Sequence, residues 1–203
     1  MSLLIGWINF IVMISSSFLL TIFYIKSVRP AALEKKIGEV AFKRCYRYRI
    51  IASSFMVIIL INQIVYFYYP FPIIFPQFFP WDYWVSVFIA ILIAVPSLLI
   101  MLKGVHDAGE ETIRPSRENP LYGGIYNKIR HPQATGELGT WWIVPFLGNS
   151  PFLVIFSFIW IPIFYLFCVY EEKDLELRYR EAYIEYRTKT GMFFPKLKGF
   201  KKN

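Results

Sequence analysis

The 203-residue sequence contains only two cysteines and two histidines. Cys45 lies in a basic stretch and Cys168 lies near the end of an apolar run, so we expect no disulfide between them. His106 and His131 stand apart, without a Cys or His cluster at ligand spacing, and we predict no metal site. The chain also lacks a GxGxxG or Walker pattern, the common phosphate-binding loops. Any nucleotide-like cofactor must be held in another way.

Long apolar runs dominate the chain, in which 56% of the residues are hydrophobic and 20% are aromatic. A helix of about 20 apolar residues crosses a bilayer. The first run is longer than the apolar region of a typical signal peptide and has no basic leader, so we interpret it as a span. The sequence predicts an all-α integral membrane protein with five transmembrane helices, at 3–25, 50–69, 84–102, 138–147 (beginning near His131) and 151–170.

Basic residues are absent from two of the predicted connections, 70–81 and 145–151, which carry no charged residue. All 22 Lys and Arg lie in 26–49, in 103–130 or after 170. The positive-inside rule places these basic segments in the cytoplasm, with the N-terminus outside and the C-terminus inside. This topology and attraction to anionic headgroups explain the net charge of +8, and we predict no nucleic-acid binding.

The polar residues divide the chain into two parts. Residues 1–102 hold three predicted spans and the basic cytoplasmic loop 26–49, and these spans carry no motif that we can assign to chemistry. Residues 103–203 hold a cytoplasmic loop, a transmembrane hairpin at 132–170 and a C-terminal cytoplasmic helix and tail. Gly191 is the predicted C-cap of that helix. Apolar residues at spacings of three and four predict that it is amphipathic and folds back over the loop: Leu175, Tyr179, Ala182, Tyr183 and Tyr186.

Ionisable residues flank the predicted hairpin. Arg130-His131-Pro132 stands before it and Glu171-Glu172 follows it, so both sets would meet at one membrane face. Charged residues beside a membrane span are costly to desolvate and are a functional-site hypothesis by default. The two glutamates also stand where the helix dipole favours a cation. A positive group, either Arg130 or a bound cation, is therefore expected near them.

These motifs resemble those of the integral membrane methyltransferases that include isoprenylcysteine carboxyl methyltransferase and, more distantly, phospholipid N-methyltransferases. The resemblance covers about 101–196, and two linked motifs around a hairpin are more specific than either alone. Ala134 stands where many relatives have a tyrosine, and Glu137 is an acid inside a predicted span, so a prenylated cysteine carboxylate is not assumed as the acceptor. The matching residues are Gly124-Ile125-Tyr126, Arg130-His131-Pro132, Gly136, Glu171-Glu172-Lys173-Asp174-Leu175, Tyr183, Tyr186 and Thr190-Gly191-Met192-Phe193-Phe194-Pro195.

The resemblance implies methyl transfer from S-adenosylmethionine, leaving S-adenosylhomocysteine, to a carboxylate, thiol or amine of a lipid-like acceptor in the membrane. Residues 103–203 would be the catalytic region, with Arg130 and Glu172 as catalytic residues and no obligate protein partner. Arg130 and His131 hold the cofactor carboxylate, or Glu172 instead orients Arg130 near the acceptor; both assignments stay open. Glu137 and Trp141 are predicted to face the acceptor, or Glu137 instead pairs structurally with a basic residue; both interpretations of Glu137 stay open. The implied cofactor-binding residues are His131, Glu171, Tyr126, Gly124, Gln133, Gly136, Tyr183 and Tyr186.

Two other classes of function are compatible with the sequence. An NADPH-dependent membrane reductase with the architecture of sterol reductases would need further cations around its pocket, such as Arg114, Arg117 and Lys128. A noncatalytic membrane scaffold would use the polar loops only to bind a partner. Cofactor binding distinguishes all three functions, because a scaffold binds neither S-adenosylmethionine nor NADPH.

Overall fold

The computed structural model describes residues 2–71, 76–115 and 123–196, so Arg117 lies outside the described residues. Within these ranges the regular structure is helical, with one isolated bridge between Ile129 and Gly191, and the predicted all-α class is confirmed. Two short 3₁₀ helices occupy Gly109–Thr112 and Gly124–Asn127. The α-helices are α1 (Ser2–Ser27), α2 (Pro30–Ile37), α3 (Val40–Tyr68), α4 (Tyr83–Ala108), α5 (Pro132–Thr140), α6 (Ile143–Leu147), α7 (Pro151–Ser157), α8 (Trp160–Tyr179) and α9 (Glu181–Lys189).

Among the described residues, four helical segments are long and apolar enough to cross a membrane. They are α1, α3, α4 with the 3₁₀ turn after it, and the nearly continuous pair α7 and α8. Large apolar side chains such as Phe88 and Leu99 of α4 lie exposed on their outer faces. Helices satisfy their own backbone hydrogen bonds, and apolar outer faces suit contact with lipid. The chain is therefore a multi-pass integral membrane protein.

The predicted fourth span is two short helices, α5 and α6, rather than one long helix, so the predicted set of five long spans is not confirmed. Pro145 has no N–H to donate to the carbonyl of Trp141, four residues earlier. Ser157 Oγ in α7 donates to that carbonyl instead, at 2.8 Å. The missing backbone bond ends the helix, and the side chain from α7 satisfies the freed group inside the protein.

Small residues let α4 and α5 approach closely. A Cβ at Gly136 would run into the Ser97 carbonyl and the Met101 backbone nitrogen of α4, and one at Gly139 would meet the Ser97 side chain. Such close backbone contact is typical of helices that pack inside membranes. α1 packs along α3, whereas α3 and α4 make few contacts with each other. A gap is therefore left between α3 and α4.

The predicted amphipathic helix after Glu172 is divided. Arg180 adopts a left-handed conformation (φ 53°) between α8 and α9, and Ala182 is exposed rather than part of an apolar face. α9 still contacts the preceding loop, because Tyr186 Oη donates to the Tyr126 carbonyl at 2.7 Å. Gly191 is not the C-cap, since Thr190 caps α9 and Gly191 pairs with Ile129. These contacts with the loop depend on residues distant in the chain, and the periodicity of α9 does not report them.

Asp174 joins α8 to the start of α2. Its two carboxylate oxygens accept the backbone N–H groups of Ala31 and Ala32, at 3.0 and 2.7 Å, and its side chain is buried. These N–H groups have no partner within α2 because they belong to its first turn. A distant carboxylate therefore caps this helix.

Replacing Asp174 by alanine is expected to destabilise the protein by about 1–2 kcal/mol, since two buried donors lose a charged acceptor. The thermal unfolding midpoint in detergent measures this effect. Asp82→Ala is the matched control, because Asp82 precedes α4 without a side-chain capping bond. Equal midpoints for the two variants would contradict a capping role for Asp174.

Candidate active site

A cavity of about 650 Å³ lies between α1, α3, α4, α5 and α8. Its size falls in the range of small-molecule sites, roughly 300–1,000 Å³. One group of lining residues is polar and includes Arg49, Glu111, Tyr126, Arg130, His131 and Glu171. A second group is apolar and includes Leu20, Met56, Leu60, Leu98, Phe164 and Phe167. The cavity therefore suits a ligand, or a pair of ligands, with both polar and apolar parts.

The two flanking motifs meet at Glu172. Arg130 Nε donates to Glu172 Oε1 at 2.7 Å, and His131 Nε2 lies 3.0 Å from the same oxygen. His131 Nδ1 lies 3.3 Å from Glu171 Oε2. Arg130, His131 and Glu172 are nearly buried, with side-chain exposures of 9%, 4% and 11%. The positive group expected near the glutamates is thus provided by this motif.

His131 is positioned to be an imidazolium. Burial acts to lower its pKa, but hydrogen bonds to Cys168, Glu171 and Glu172 outweigh burial and hold the pKa well above its ordinary value. A protonated ring has two N–H donors and can serve both carboxylates at once. These hydrogen bonds therefore favour a charged His131 ring between the two carboxylates.

The segment that follows α9 holds Arg130 in place through backbone carbonyls. The backbone N–H of Arg130 donates to the Gly191 carbonyl at 2.8 Å, and that of His131 donates to the Met192 carbonyl at 3.2 Å. Arg130 Nη1 also donates to the Thr190 carbonyl at 2.5 Å. With Nε on Glu172, the guanidinium is oriented from two sides. This geometry favours the assignment in which Glu172 orients Arg130, and the catalytic role itself stays a prediction.

Gln133 and Tyr126 connect the cavity wall to α4. Gln133 Nε2 donates to Thr112 Oγ1 and to Tyr126 Oη, both at 2.9 Å, and Tyr126 Oη donates to the Gly104 carbonyl at 3.3 Å. Burial raises the pKa of Tyr126 well above its usual value, so the phenol keeps its proton. Both side chains line the cavity and can contact a ligand.

Four of the predicted cofactor residues lie beside the cavity rather than in its lining. Gly124 has a left-handed φ of 61°, and its missing side chain leaves space for the Asp107 carboxylate. Gly136 packs against α4. Tyr183 is fully buried, and Tyr186 contacts the loop through its hydroxyl, while burial raises the pKa of Tyr186 to about 12. Cofactor contact by these residues stays a prediction.

The predicted acceptor residues both line the cavity, Glu137 on α5 and Trp141 directly after it. Trp141 stacks on Trp160 of α8, with ring centroids 4.0 Å apart and planes at 21°. Glu137 lies one turn before Trp141 on the same helix face, because residues four apart are neighbours on a helix. The apolar part of the cavity therefore contains one carboxyl group.

Three further cavity residues were missed by sequence reasoning: Tyr24, Arg49 and Glu111. Arg49 Nη1 donates to the backbone carbonyls of Glu111 and Thr112, at 3.0 and 2.7 Å. In the described part of the chain no carboxylate forms an ion pair with Arg49. Its position just before an apolar run is the only sequence signal, and that position is equally typical of a topology anchor.

Glu111 is fixed by an ion pair with Arg178 of α8. Arg178 Nη1 and Nη2 lie 2.6 and 3.3 Å from the two carboxylate oxygens, and the side chains are only 6% and 7% exposed. A buried, two-point arginine–carboxylate pair has a well-defined geometry. The polar side of the cavity is therefore built on a rigid contact between the 3₁₀ turn and α8.

The part of the chain that carries the charge cluster also matches a known protein family. Residues 85–182, from α4 into α9, match the family model described as phospholipid methyltransferase, which is a family of methyltransferases. The matched stretch contains both motifs around Arg130 and Glu172, whereas Arg49 and Tyr24 precede it. No curated protein and no solved structure was found to match the chain. Residues 85–182 are thus a membrane-embedded domain of the phospholipid methyltransferase family.

Proposed function

We propose that this protein transfers a methyl group from S-adenosylmethionine to a lipophilic acceptor that enters the cavity from the membrane. The observation that carries the proposal is a single cavity with two kinds of lining. The Arg130, His131 and Glu171 cluster belongs to its polar part, and apolar residues of α3, α4 and α8 form the remainder. Membership of the domain in a methyltransferase family supports the same reaction class.

The polar residues match the functional groups of the proposed methyl donor. Glu171 keeps 32% of its side chain exposed, and its carboxylate suits an ammonium group or ribose hydroxyls. Arg49 has no carboxylate partner among the described residues and suits the donor's carboxylate. The donor supplies a methyl group that its sulfonium already activates. The task of the protein is then to align the two substrates and to exclude water.

The gap between α3 and α4 is the proposed route for the acceptor. Ile50 and Ser53 of α3 and Leu98 and Met101 of α4 line the cavity, although the two helices have few mutual contacts. A lipid-like molecule can therefore pass between them without leaving the hydrocarbon. The positive-inside rule supports a cytoplasmic polar side, a cytoplasmic C-terminus and an external N-terminus.

The proposal also changes the role of residues 1–102, the first of the two predicted parts of the chain. The catalytic motifs lie in 103–203, but Tyr24 and Arg49 of the first part line the same cavity. We therefore assign the first three helices a share in ligand binding as well as in anchoring.

S-adenosylhomocysteine and S-adenosylmethionine are expected to bind the detergent-purified protein with micromolar affinity, as measured by calorimetry. Glu171→Gln is expected to weaken binding by about 10-fold or more, since a charge-assisted hydrogen bond contributes roughly 1.5–3 kcal/mol. Arg130→Ala and Glu172→Ala are expected to lose binding through collapse of the charge cluster.

Glu176→Gln is the matched control, because Glu176 lies outside the cavity and pairs with Arg187 on the surface of α8 and α9. It should bind like the parent protein. Binding of NADPH in place of the methyl donor would overturn the proposal in favour of a reductase. Binding of neither molecule would leave a scaffold as the better explanation.

A further inference from the structure

Glu137 is a carboxyl group that faces the cavity without a partner. It lies on α5, six residues after His131, which is about 9 Å further along the helix axis. It lines the cavity near Ala134 and Trp141. Within 2–71, 76–115 and 123–196, its side chain has no hydrogen-bond donor and no cation at ion-pair distance. The one bond near it, from Thr140 Oγ1, goes to the Glu137 backbone carbonyl at 2.7 Å.

A carboxyl group placed in this way is unfavourable unless something binds it. Glu137 is only partly buried, so its carboxyl group faces the open space of the cavity, and an ionised carboxylate beside apolar residues costs several kcal/mol when nothing compensates its charge. The cavity lining from α3 and α8 includes the apolar residues Met56, Leu60 and Phe164. Neither arginine of the cavity lining forms an ion pair with Glu137 among the described residues, since Arg130 pairs with Glu172 and Arg49 Nη1 donates to two backbone carbonyls. The missing partner of Glu137 is therefore expected in the ligand.

Glu137 shares one cavity with the polar cluster. Tyr24 and Glu171 line this cavity as well. Glu137 is thus within the reach of a ligand that also approaches the proposed methyl donor. A second carboxylate at this place would face like-charge repulsion, which is strong where water is scarce.

We propose that Glu137 selects the acceptor by its headgroup: it binds a hydrogen-bond donor (an amine, hydroxyl or thiol) and rejects a carboxylate. Glu137 is then the specificity-determining residue of the apolar part of the cavity. The inference rests on the proposed methyl transfer and excludes the carboxylate from its acceptors, leaving groups that carry a proton on the nucleophilic atom.

The test uses four probes of one chain length: dodecylammonium, dodecanol, dodecanethiol and dodecanoate. Their affinities are measured for the parent protein and for Glu137→Gln in nanodiscs of neutral lipid, with S-adenosylhomocysteine present. Each probe partitions into the lipid to the same extent in every sample. The ratio of a probe's affinities for two protein variants therefore reports a difference in the binding site. The parent is expected to prefer dodecylammonium over dodecanoate by a factor that Glu137→Gln lowers about 10- to 100-fold.

Glu185→Gln is the matched control, because Glu185 lies exposed on α9 and pairs with Lys189. It is expected to keep the parent's preference, as is Glu137→Asp, which retains the charge. An unchanged preference in Glu137→Gln would overturn the inference, and so would a parent that binds dodecanoate as tightly as dodecylammonium. Failure of the parent to bind S-adenosylhomocysteine would instead overturn the proposed function, which the same samples report separately.

Discussion

Glu172→Gln is expected to lower methyl transfer by at least about 100-fold, the size of effect that a misplaced catalytic group produces. It is also expected to destabilise the protein by about 3 kcal/mol, because Arg130 and His131 lose the buried carboxylate that both contact. Transfer of a labelled methyl group and thermal unfolding in detergent measure the two effects.

The pH dependence of stability gives a separate readout for Glu172. The folded-state pKa of His131 is raised, so its contribution to stability is complete below the unfolded-state pKa and is lost as pH rises through the folded-state value. Removing the charge at Glu172 lowers the folded-state pKa of His131. The pH at which the protein loses this stability should therefore be lower in Glu172→Gln than in the parent protein. Glu176→Gln is the control, since Glu176 forms a surface pair with Arg187 one turn further along α8. Parent-like stability and pH dependence in Glu172→Gln would contradict the charge cluster.

Gly136→Ala is expected to destabilise the protein by about 3 kcal/mol, at the upper end of the range for overpacking. Its added Cβ meets the backbone of α4 at Ser97 and Met101, which cannot rotate away. Gly139→Ala is expected to cost less, because its Cβ meets the flexible side chain of Ser97. The order of the thermal unfolding midpoints measures the difference between backbone and side-chain contact.

Gly123→Ala is the control for this series, since nothing lies within 4 Å of its added Cβ and its φ of −106° suits any residue. It should unfold at the midpoint of the parent protein. Equal unfolding midpoints for Gly136→Ala and Gly123→Ala would contradict the close contact between α4 and α5. Since α5 carries Gln133 and Glu137, with Trp141 directly after it, its displacement in Gly136→Ala should also weaken binding in the cavity.

The spans and the two motifs are local properties, and for this reason the sequence predicted them well. The length of an apolar run and the spacing of Arg130-His131-Pro132 or Glu171-Glu172 can be read without knowing what packs nearby. The fifth long span was not confirmed, because an apolar run does not reveal where a helix breaks. Pro145 has no N–H for the Trp141 carbonyl, and the Ser157 hydroxyl donates to that carbonyl instead. The left-handed turn at Arg180 likewise has no signal in the periodicity of α8 and α9.

The sequence by itself determined that this is a helical membrane protein with two charged motifs on either side of a hairpin, since hydrophobicity and charge act residue by residue. Only the tertiary structure decided which residues share the cavity. Arg49 meets Glu111 across 62 residues of chain, and Arg178 meets Glu111 across 67. Such contacts depend on how helices pack, and packing follows shape complementarity between side chains that are distant in the chain. For the same reason, the sequence shows Glu137 only as an acid within a predicted span, whereas the fold shows that it lines the same cavity as the charge cluster.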